Sequence, residues 1–335
     1  MRLDDFWYSL PQHLIAQKPL KNRHDSRLFV YNRANQSITH SKFINIKEFL
    51  YPGDLLVINT TKVIPARIFA KKKSGGKAEI LLLNKVTDTQ WEVLVGGKNI
   101  ITGRSLSVTD ELSCEVMEEL GGSQRIIQFS NPIEPYLSSI GNVPLPPYIH
   151  EALADPSRYQ TIYAKNSGSA AAPTAGLHFT DELIKDLVAY GIEFSEITLH
   201  VGLDTFAPVI EENIENHKIH SEWCQVSSAS AAKINAAIQS NRRVIAVGTT
   251  TARTLEAAAN GSDVTPFTGQ TNLYITPGYQ FKIVKAMITN FHLPASTLLM
   301  MVSAFAGRQN VLACYREAIA RNYRFYSFGD AMLII

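Results

Sequence analysis

Five of the nine histidines in this chain, His178, His200, His217, His220 and His292, fall in its second half. Histidine is the side chain whose ordinary pKa suits proton transfer near neutral pH, so this set is the first place to look for acid and base chemistry. His178 closes the run GSAAAPTAGLHFT, Gly168 to Thr180. Small residues there let backbone approach a ligand, and Gly176 is expected to take a positive φ. The following TDELIKDLVAYG predicts a helix with Thr180 as N-cap, acids at Asp181 and Glu182, and Gly191 as its stop. His178 would then sit just ahead of a helix N-terminus, a place that suits anionic or polar ligands. The plainer reading is a tight loop whose histidine only caps a neighbour.

A second constellation is RRVIAVGTTTARTLEAAAN, Arg242 to Asn260, in the order strand, Gly-Thr-Thr-Thr loop, helix. In open α/β sheets ligands bind beyond the carboxyl ends of strands, where loop hydroxyls and free helix N–H groups converge. Thr249, Thr250 and Thr251 are placed for that, with Arg253 further along. The plainer reading is that they only cap the helix, which suits one of the threonines better than all three. Neither a Walker motif, a GxGxxG fingerprint nor a GxSxG elbow is present. His217 and His220 with Cys224 invite a metal reading, but their spacing differs from HExxH and no acidic cluster completes a shell, so no metal is expected.

These residues need a scaffold, and 335 residues at 45% hydrophobic content can bury a large core and predict two domains. The start, MRLDDFWYSL, is not expected to be a secretory signal. STLLMMVSAFAG, Ser296 to Gly307, is too short to span a bilayer and reads as a buried element. Cys114, Cys224 and Cys314 form no CxxC pair, which argues against a disulfide framework and suggests a reducing cytoplasm. The net charge of +2 does not by itself mark a nucleic-acid protein. Local clusters matter more: Lys71, Lys72 and Lys73, with Lys18, Lys21, Arg23, Arg27, Lys62 and Arg67. They would neutralise phosphates if they shared a face, and otherwise are solvated charge.

Two kinds of element pattern follow one another. Leu55 to Ile58 reads as a buried strand, and from Val63 to Ser130 the short runs ARIFAK, KAEILLL, WEVLVGG, SLSVT, SCEVMEEL and RIIQFS predict a small all-β barrel or sandwich. The proline-rich stretch through Pro144, Pro146, Pro147 and Pro156 reads as a connector. Beyond Gly168, EFSEITLHVGL, RRVIAVG, LYITPG and KAMITNF are strand candidates, and SASAAKINAAIQS, TTARTLEAAA and QNVLACYREAIARN helix candidates. That alternation predicts an α/β domain with a substantially parallel sheet.

Several blocks together resemble the S-adenosylmethionine:tRNA ribosyltransferase-isomerase family of queuosine biosynthesis. They are GDLLVINTTKVIPAR, LPPYI, RYQTIYA, GSAAAPTAGLHF, ITLHVGLDTFAPV, HKIHSE, VIAVGTTTARTLE, TNFHLPASTLLMMVSAFAG and YRFYSFGDAMLI, and LPQHLIAQKPLKNRHDSRL near the start extends the likeness almost end to end. The resemblance implies a large discontinuous α/β domain, 1–62 and 151–335, interrupted by an inserted all-β barrel domain, 63–150. It also implies S-adenosylmethionine as a ribosyl donor and, as acceptor, 7-aminomethyl-7-deazaguanine at the wobble position of tRNA. Loss of a C5′ proton next to the sulfonium, expulsion of adenine, attack by the amine and rearrangement with loss of methionine would give epoxyqueuosine.

Under that resemblance the acid and base candidates are His178, His200, His220, Glu222 and His292. Arg253 with the Thr249-Thr250 loop would meet the donor's carboxylate, and Gly176, Asn290, Ser296, Tyr326 and Asp330 would complete the donor site. Lys62, Arg67, Lys71, Lys72, Lys73, Arg158 and Tyr159 are assigned to tRNA, with Tyr148, Tyr163, Phe179 and Phe206 as aromatics that could hold an extruded base. A monomer in the cytoplasm is expected. Lys62, Thr60, Asp204 and Ala295 depart from the family pattern; Lys62 keeps the charge of an arginine but loses its fork. Two other classes are weaker. A methyltransferase would want a Gly-rich loop and a strand-ending acid, and a non-catalytic tRNA-binding relative would be expected to lose the histidines.

Overall fold

The computed structural model describes residues 1–202 and 209–335, so Asp204 and Phe206 lie outside the described residues. The chain forms two compact units, one built from Met1–Lys62, Pro147–Asn166 and Ala172–Ile335, the other from Val63–Pro146 and Ser167–Ala171.

In the larger unit nine strands form one sheet. Their spatial order is Phe267–Thr271, Glu222–Val226, Glu193–Leu199, Leu55–Asn59, Val244–Val247, Ala286–Asn290, Ala331–Ile334, Arg27–Asn32 and Ser37–Lys42. Leu55–Asn59 and Val244–Val247 are buried along their whole length, which fits strands covered on both faces. Leu56, Ile58, Ile245, Val247, Ile288 and Leu333 pack on one side against Phe43, Phe179, Leu183 and Leu187. Burying each such side chain contributes about 1.5–3 kcal/mol, so this layer anchors the sheet.

Strand direction departs from the expectation of a substantially parallel sheet. Glu193–Leu199, Leu55–Asn59, Val244–Val247 and Ala286–Asn290 run parallel, as do Arg27–Asn32 and Ala331–Ile334. The remaining neighbours are antiparallel, so the sheet is mixed. Apolar periodicity identifies a strand but carries no information about its direction. LYITPG is also not a strand; the edge strand is the preceding Phe267–Thr271, and Thr276–Tyr279 forms a turn at Pro277 and Gly278. Pro277 has no N–H to give a ladder, which makes this run a poor strand.

The helices follow their sequence signals closely. Thr180 caps Asp181–Tyr190 by accepting from the Leu183 N–H, and Gly191 ends that helix at φ 99°. Ser227 caps Ser228–Gln239, and Ser296 caps the largely buried Thr297–Ala306. No helix among the described residues is long and apolar enough to cross a membrane.

The smaller unit is a closed barrel of six antiparallel strands in the order Gln124–Phe129, Gln90–Gly96, Lys77–Lys85, Arg67–Lys72, Ser105–Ser107 and Ser113–Gly121. Alternate residues point inward, and Ile68, Ile80, Leu82, Val93, Val116 and Ile127 fill its interior.

Candidate active site

Val247 and Asn290 end two adjacent parallel strands, and the chain beyond each opens into one pocket. After Val247 comes Gly248 at φ 94°, whose N–H donates to the Ile288 carbonyl, and then the helix Thr249–Ala257 begins. Gly248 is its N-cap and has no side chain with which to satisfy the first-turn N–H groups. Those donors and the positive end of the helix dipole therefore face the pocket wall formed by Gly248, Thr249 and Thr250. The three threonines divide. Thr251 Oγ1 donates back to the Val247 carbonyl at 2.8 Å and serves the helix. Thr250 borders the pocket, 7% exposed, and its Oγ1 is buried without a hydrogen-bond partner among the described residues. An unmet buried hydroxyl beside a cleft marks a group that a ligand would satisfy.

Asn290 forms another wall. Its Oδ1 accepts from Thr174 Oγ1 at 2.9 Å, and its Nδ2 donates to the Tyr326 carbonyl at 3.2 Å. A carbonyl only accepts, so this fixes which end of the amide is nitrogen. The same Nδ2 lies 3.2 Å from His178 Nε2, which must accept, leaving the proton on His178 Nδ1 to donate to Ser26 Oγ at 2.8 Å. Burial first, then the charges of Arg23 and Arg324, push the His178 imidazole down to about 3. His178 is therefore a neutral strut behind Asn290, and it borders a smaller neighbouring cleft instead of this pocket. Tyr326 holds its carbonyl toward Asn290 with φ 70°, a conformation that costs a bulky residue about 1–3 kcal/mol and is found where a site imposes it.

His292 lies two residues beyond Asn290 and is the one imidazole among the described lining residues, which include no carboxylate, lysine or arginine. Its Nε2 is 2.7 Å from Thr289 Oγ1, and burial pushes it down to about 3, so the ring is neutral at physiological pH. Ser296 and Tyr326 complete the polar lining together with Tyr148, whose hydroxyl is 2.7 Å from Ser327 Oγ and whose ring packs on Tyr326 at 4.6 Å.

Thr249, Thr250, Asn290, His292, Ser296 and Tyr326 thus come together as the residue types suggested, and the other candidates go elsewhere. Arg253 is 4% exposed and forms a buried ion pair with Glu222, whose Oε1 also accepts from the Gly202 N–H. It does not line the pocket, and burial lowers it to about 10. Asp330 is buried and its two oxygens accept the backbone N–H groups of Arg27 and Arg324, so it ties chain to chain. His200 stacks on Trp223 at 4.9 Å with Nδ1 2.8 Å from Thr61 Oγ1, and His220 is exposed. Gly176 has no positive φ; a Cβ there would lie 2.1 Å from the Tyr163 hydroxyl, so close packing accounts for the glycine.

Of the tRNA candidates, Tyr159 and Phe179 are fully buried and Tyr163 packs against the core, which makes them framework. Lys62, Lys71 and Lys73 are exposed, Lys72 donates to the Lys98 carbonyl, and Arg67 pairs with Glu79 at 3.1 Å. Arg158 borders the smaller cleft. Among the described residues no three His, Cys, Asp or Glu side chains gather as a metal would need. Thr174, Ser26, Thr289 and Ser327 were not anticipated. Thr289 had a signal in its place within TNFH, whereas Ser26 is joined to His178 only by folding, 152 positions away.

Comparison with known proteins gives a consistent result. Residues 3–334 match the model of a family described as queuosine biosynthesis protein. A protein of Carboxydothermus hydrogenoformans named S-adenosylmethionine:tRNA ribosyltransferase-isomerase is 54% identical, with all of both chains covered. One of the same name from Staphylococcus haemolyticus is 48% identical over the full length of both. The crystal structure of S-adenosylmethionine tRNA ribosyltransferase from Thermotoga maritima is 39% identical, covers 99% of this chain and 100% of its own, and superposes with a TM-score of 0.59.

Proposed function

Since the chain belongs to the queuosine biosynthesis family of S-adenosylmethionine:tRNA ribosyltransferase-isomerases, we propose that the pocket between Gly248 and Ser296 is where its donor substrate reacts. The enzyme transfers the ribosyl moiety of S-adenosylmethionine to 7-aminomethyl-7-deazaguanine at the wobble position of tRNA and isomerises it, giving epoxyqueuosine with release of adenine and methionine. The observation that carries the placement is the uncapped start of Thr249–Ala257 beside the unsatisfied hydroxyl of Thr250. With no cation among the described lining residues, helix N–H groups and Thr250 are the donors that would meet the methionine carboxylate. Arg253 is committed to Glu222 and takes no part.

His292 is assigned the proton transfer at the carbon next to the sulfonium. Its neutral ring keeps a lone pair available throughout the physiological range, and the sulfonium acidifies the neighbouring carbon so that a weak base can take its proton. Asn290, held by Thr174, Tyr326 and His178, presents a fixed amide to the ribose or base. His178 acts through Asn290 as a positioning residue, and Tyr148 and Tyr326 offer ring faces to a nucleobase. His200, His220 and Glu222 receive no chemical role, and no metal is invoked. The exposed lysines Lys62, Lys71 and Lys73 are assigned to tRNA phosphates. The reading includes a cytoplasmic monomer.

The test incubates the protein with S-adenosylmethionine and tRNA bearing 7-aminomethyl-7-deazaguanine, then measures epoxyqueuosine by mass spectrometry alongside free adenine. Equal amounts of both products are expected; adenine without modified tRNA would refute the transfer. In the same assay Thr250→Val, which keeps the shape and removes the hydroxyl, should raise the KM for S-adenosylmethionine by about tenfold, the loss of a single hydrogen bond to a charged group. An unchanged KM would remove the helix start from the donor site.

A further inference from the structure

The smaller cleft next to the pocket has a charge pattern that the donor does not explain. Arg23 and Arg158 border it together with Ser26, His178, Ser327 and Gly329, and its described lining residues include no carboxylate. Arg23 donates Nη1 to the Leu177 carbonyl at 3.3 Å and Nη2 to the Ser157 carbonyl at 3.0 Å, and Arg158 donates Nη2 to the Leu20 carbonyl. All these partners are neutral, so the guanidinium groups are held in place without being discharged.

Arg324 adds a third cation. Its Nη2 donates to the Lys18 carbonyl, its Nη1 is buried with no hydrogen-bond partner among the described residues, and its charge, like that of Arg23, is felt at His178. Three guanidinium groups are set against two nearby carboxylates: the charge of Asp155, exposed and also capping Ser157, is felt at Arg23, and that of Asp330, which accepts the N–H groups of Arg27 and Arg324, is felt at Arg324, which leaves a net positive charge at the cleft. Burial and the charge of Arg158 both lower the pKa of Arg23, the mark of like charges held close. A half-buried group of like charges held by neutral partners is unfavourable by itself and is relieved by an anion.

We propose that this cleft seats a phosphodiester of the tRNA between Arg23 and Arg158, beside the nucleotide whose base enters the pocket. Two features place the phosphate next to the chemistry. Ser327 borders both cavities, and His178 in the cleft is hydrogen-bonded to Asn290 in the pocket. Guanidinium forks match phosphate oxygens in pairs, and such contacts fix the register of a nucleic acid without reading its sequence. The donor has no phosphate but does have a carboxylate, which is the competing occupant. The proposal rests on the tRNA-modifying reading above.

The experiment measures tRNA affinity against salt concentration for the wild type, Arg23→Gln, Arg158→Gln, the double variant and Arg23→Lys, together with S-adenosylmethionine affinity by calorimetry. Each glutamine should weaken tRNA binding by roughly tenfold, and the double variant should flatten the plot of log K against log salt by about one. Arg23→Lys should recover most of the salt slope and only part of the affinity, because it keeps the charge without the fork. Inorganic phosphate should compete with tRNA in the wild type and not in the double variant. Unchanged tRNA affinity and slope would overturn the proposal. So would weaker S-adenosylmethionine binding with tRNA binding intact, which would assign the cleft to the donor's carboxylate. If the wild type forms no epoxyqueuosine, the reading beneath has failed; if it does and the variants bind tRNA normally, only the phosphate seat has failed.

Discussion

His292→Gln is expected to lower turnover by a hundredfold or more while leaving the KM for each substrate within a few-fold of the wild-type value. The expectation follows from its place: it is the one imidazole among the described lining residues, two positions past the strand end that carries Asn290. General acid or base groups typically contribute factors of about 10²–10⁴, and glutamine keeps the polarity of the ring without its basicity. The loss should appear in single-turnover release of adenine, because the proton is removed before adenine leaves. Thr289→Val removes the hydroxyl 2.7 Å from Nε2 and should give a smaller loss. His178→Ala should also depress turnover more than binding, by loosening the Asn290 amide. The two histidines separate in rescue: added imidazole should restore activity to a His292→Gly variant, where a base is missing, and not to His178→Ala, where a strut is missing. A His292→Gln enzyme retaining a third or more of its turnover would end the assignment.

Stability should fall steeply as the solution is acidified below about pH 6.5. His178 and His292 both have folded pKa values pushed down to about 3, chiefly by burial. Between that value and the ordinary histidine value the unfolded chain binds protons that the folded chain excludes, so stability is full above pH 6.5 and is lost as pH falls. Each such group removes about 1.4 kcal/mol per pH unit, so the pair removes roughly 5 kcal/mol between pH 6.5 and 4.5. That is of the order of a whole domain's stability, about 5–15 kcal/mol. His200 is lowered by burial as well and acts in the same direction, whereas burial raises Asp330 and opposes it. Denaturant titrations at several pH values would measure the slope. A double His178→Gln, His292→Gln variant should lose most of it, and an equally steep slope in that variant would contradict the account.

How much of this was legible in the sequence depends on the range of the interaction. Helix caps are local, so Thr180 and Gly191 stood out from their neighbours and occupy the positions expected of them. The barrel strands were legible because one residue in two is buried along each. Strand direction was not, since Ala331–Ile334 reads the same in either orientation and its antiparallel pairing with Ala286–Asn290 is set by the connecting chain. Within the site, Thr249, Thr250, Asn290 and His292 lie at or just beyond the carboxyl ends of two strands, where topology alone suggests a ligand. Arg253 misled because one turn along a helix moves a side chain off the pocket wall, and its true partner, Glu222, is 31 positions away. His178 drew attention by its motif, yet its chemistry is decided by Ser26 and Asn290, neither of which is close in sequence.

The amide of Asn290 is a shared component. It faces the donor pocket, and through His178 it is joined to the cleft of Arg23 and Arg158. Any movement of that amide alters both cavities, so with the donor in one and a tRNA phosphodiester in the other, as proposed, the two substrates would be thermodynamically linked: whatever factor bound tRNA applies to donor affinity, bound donor must apply to tRNA affinity. Positive linkage would favour donor that is held together with its acceptor. An enzyme whose reaction destroys its donor gains from such cooperativity, because S-adenosylmethionine bound without tRNA would be the less stable complex and would be released intact more often than it is consumed.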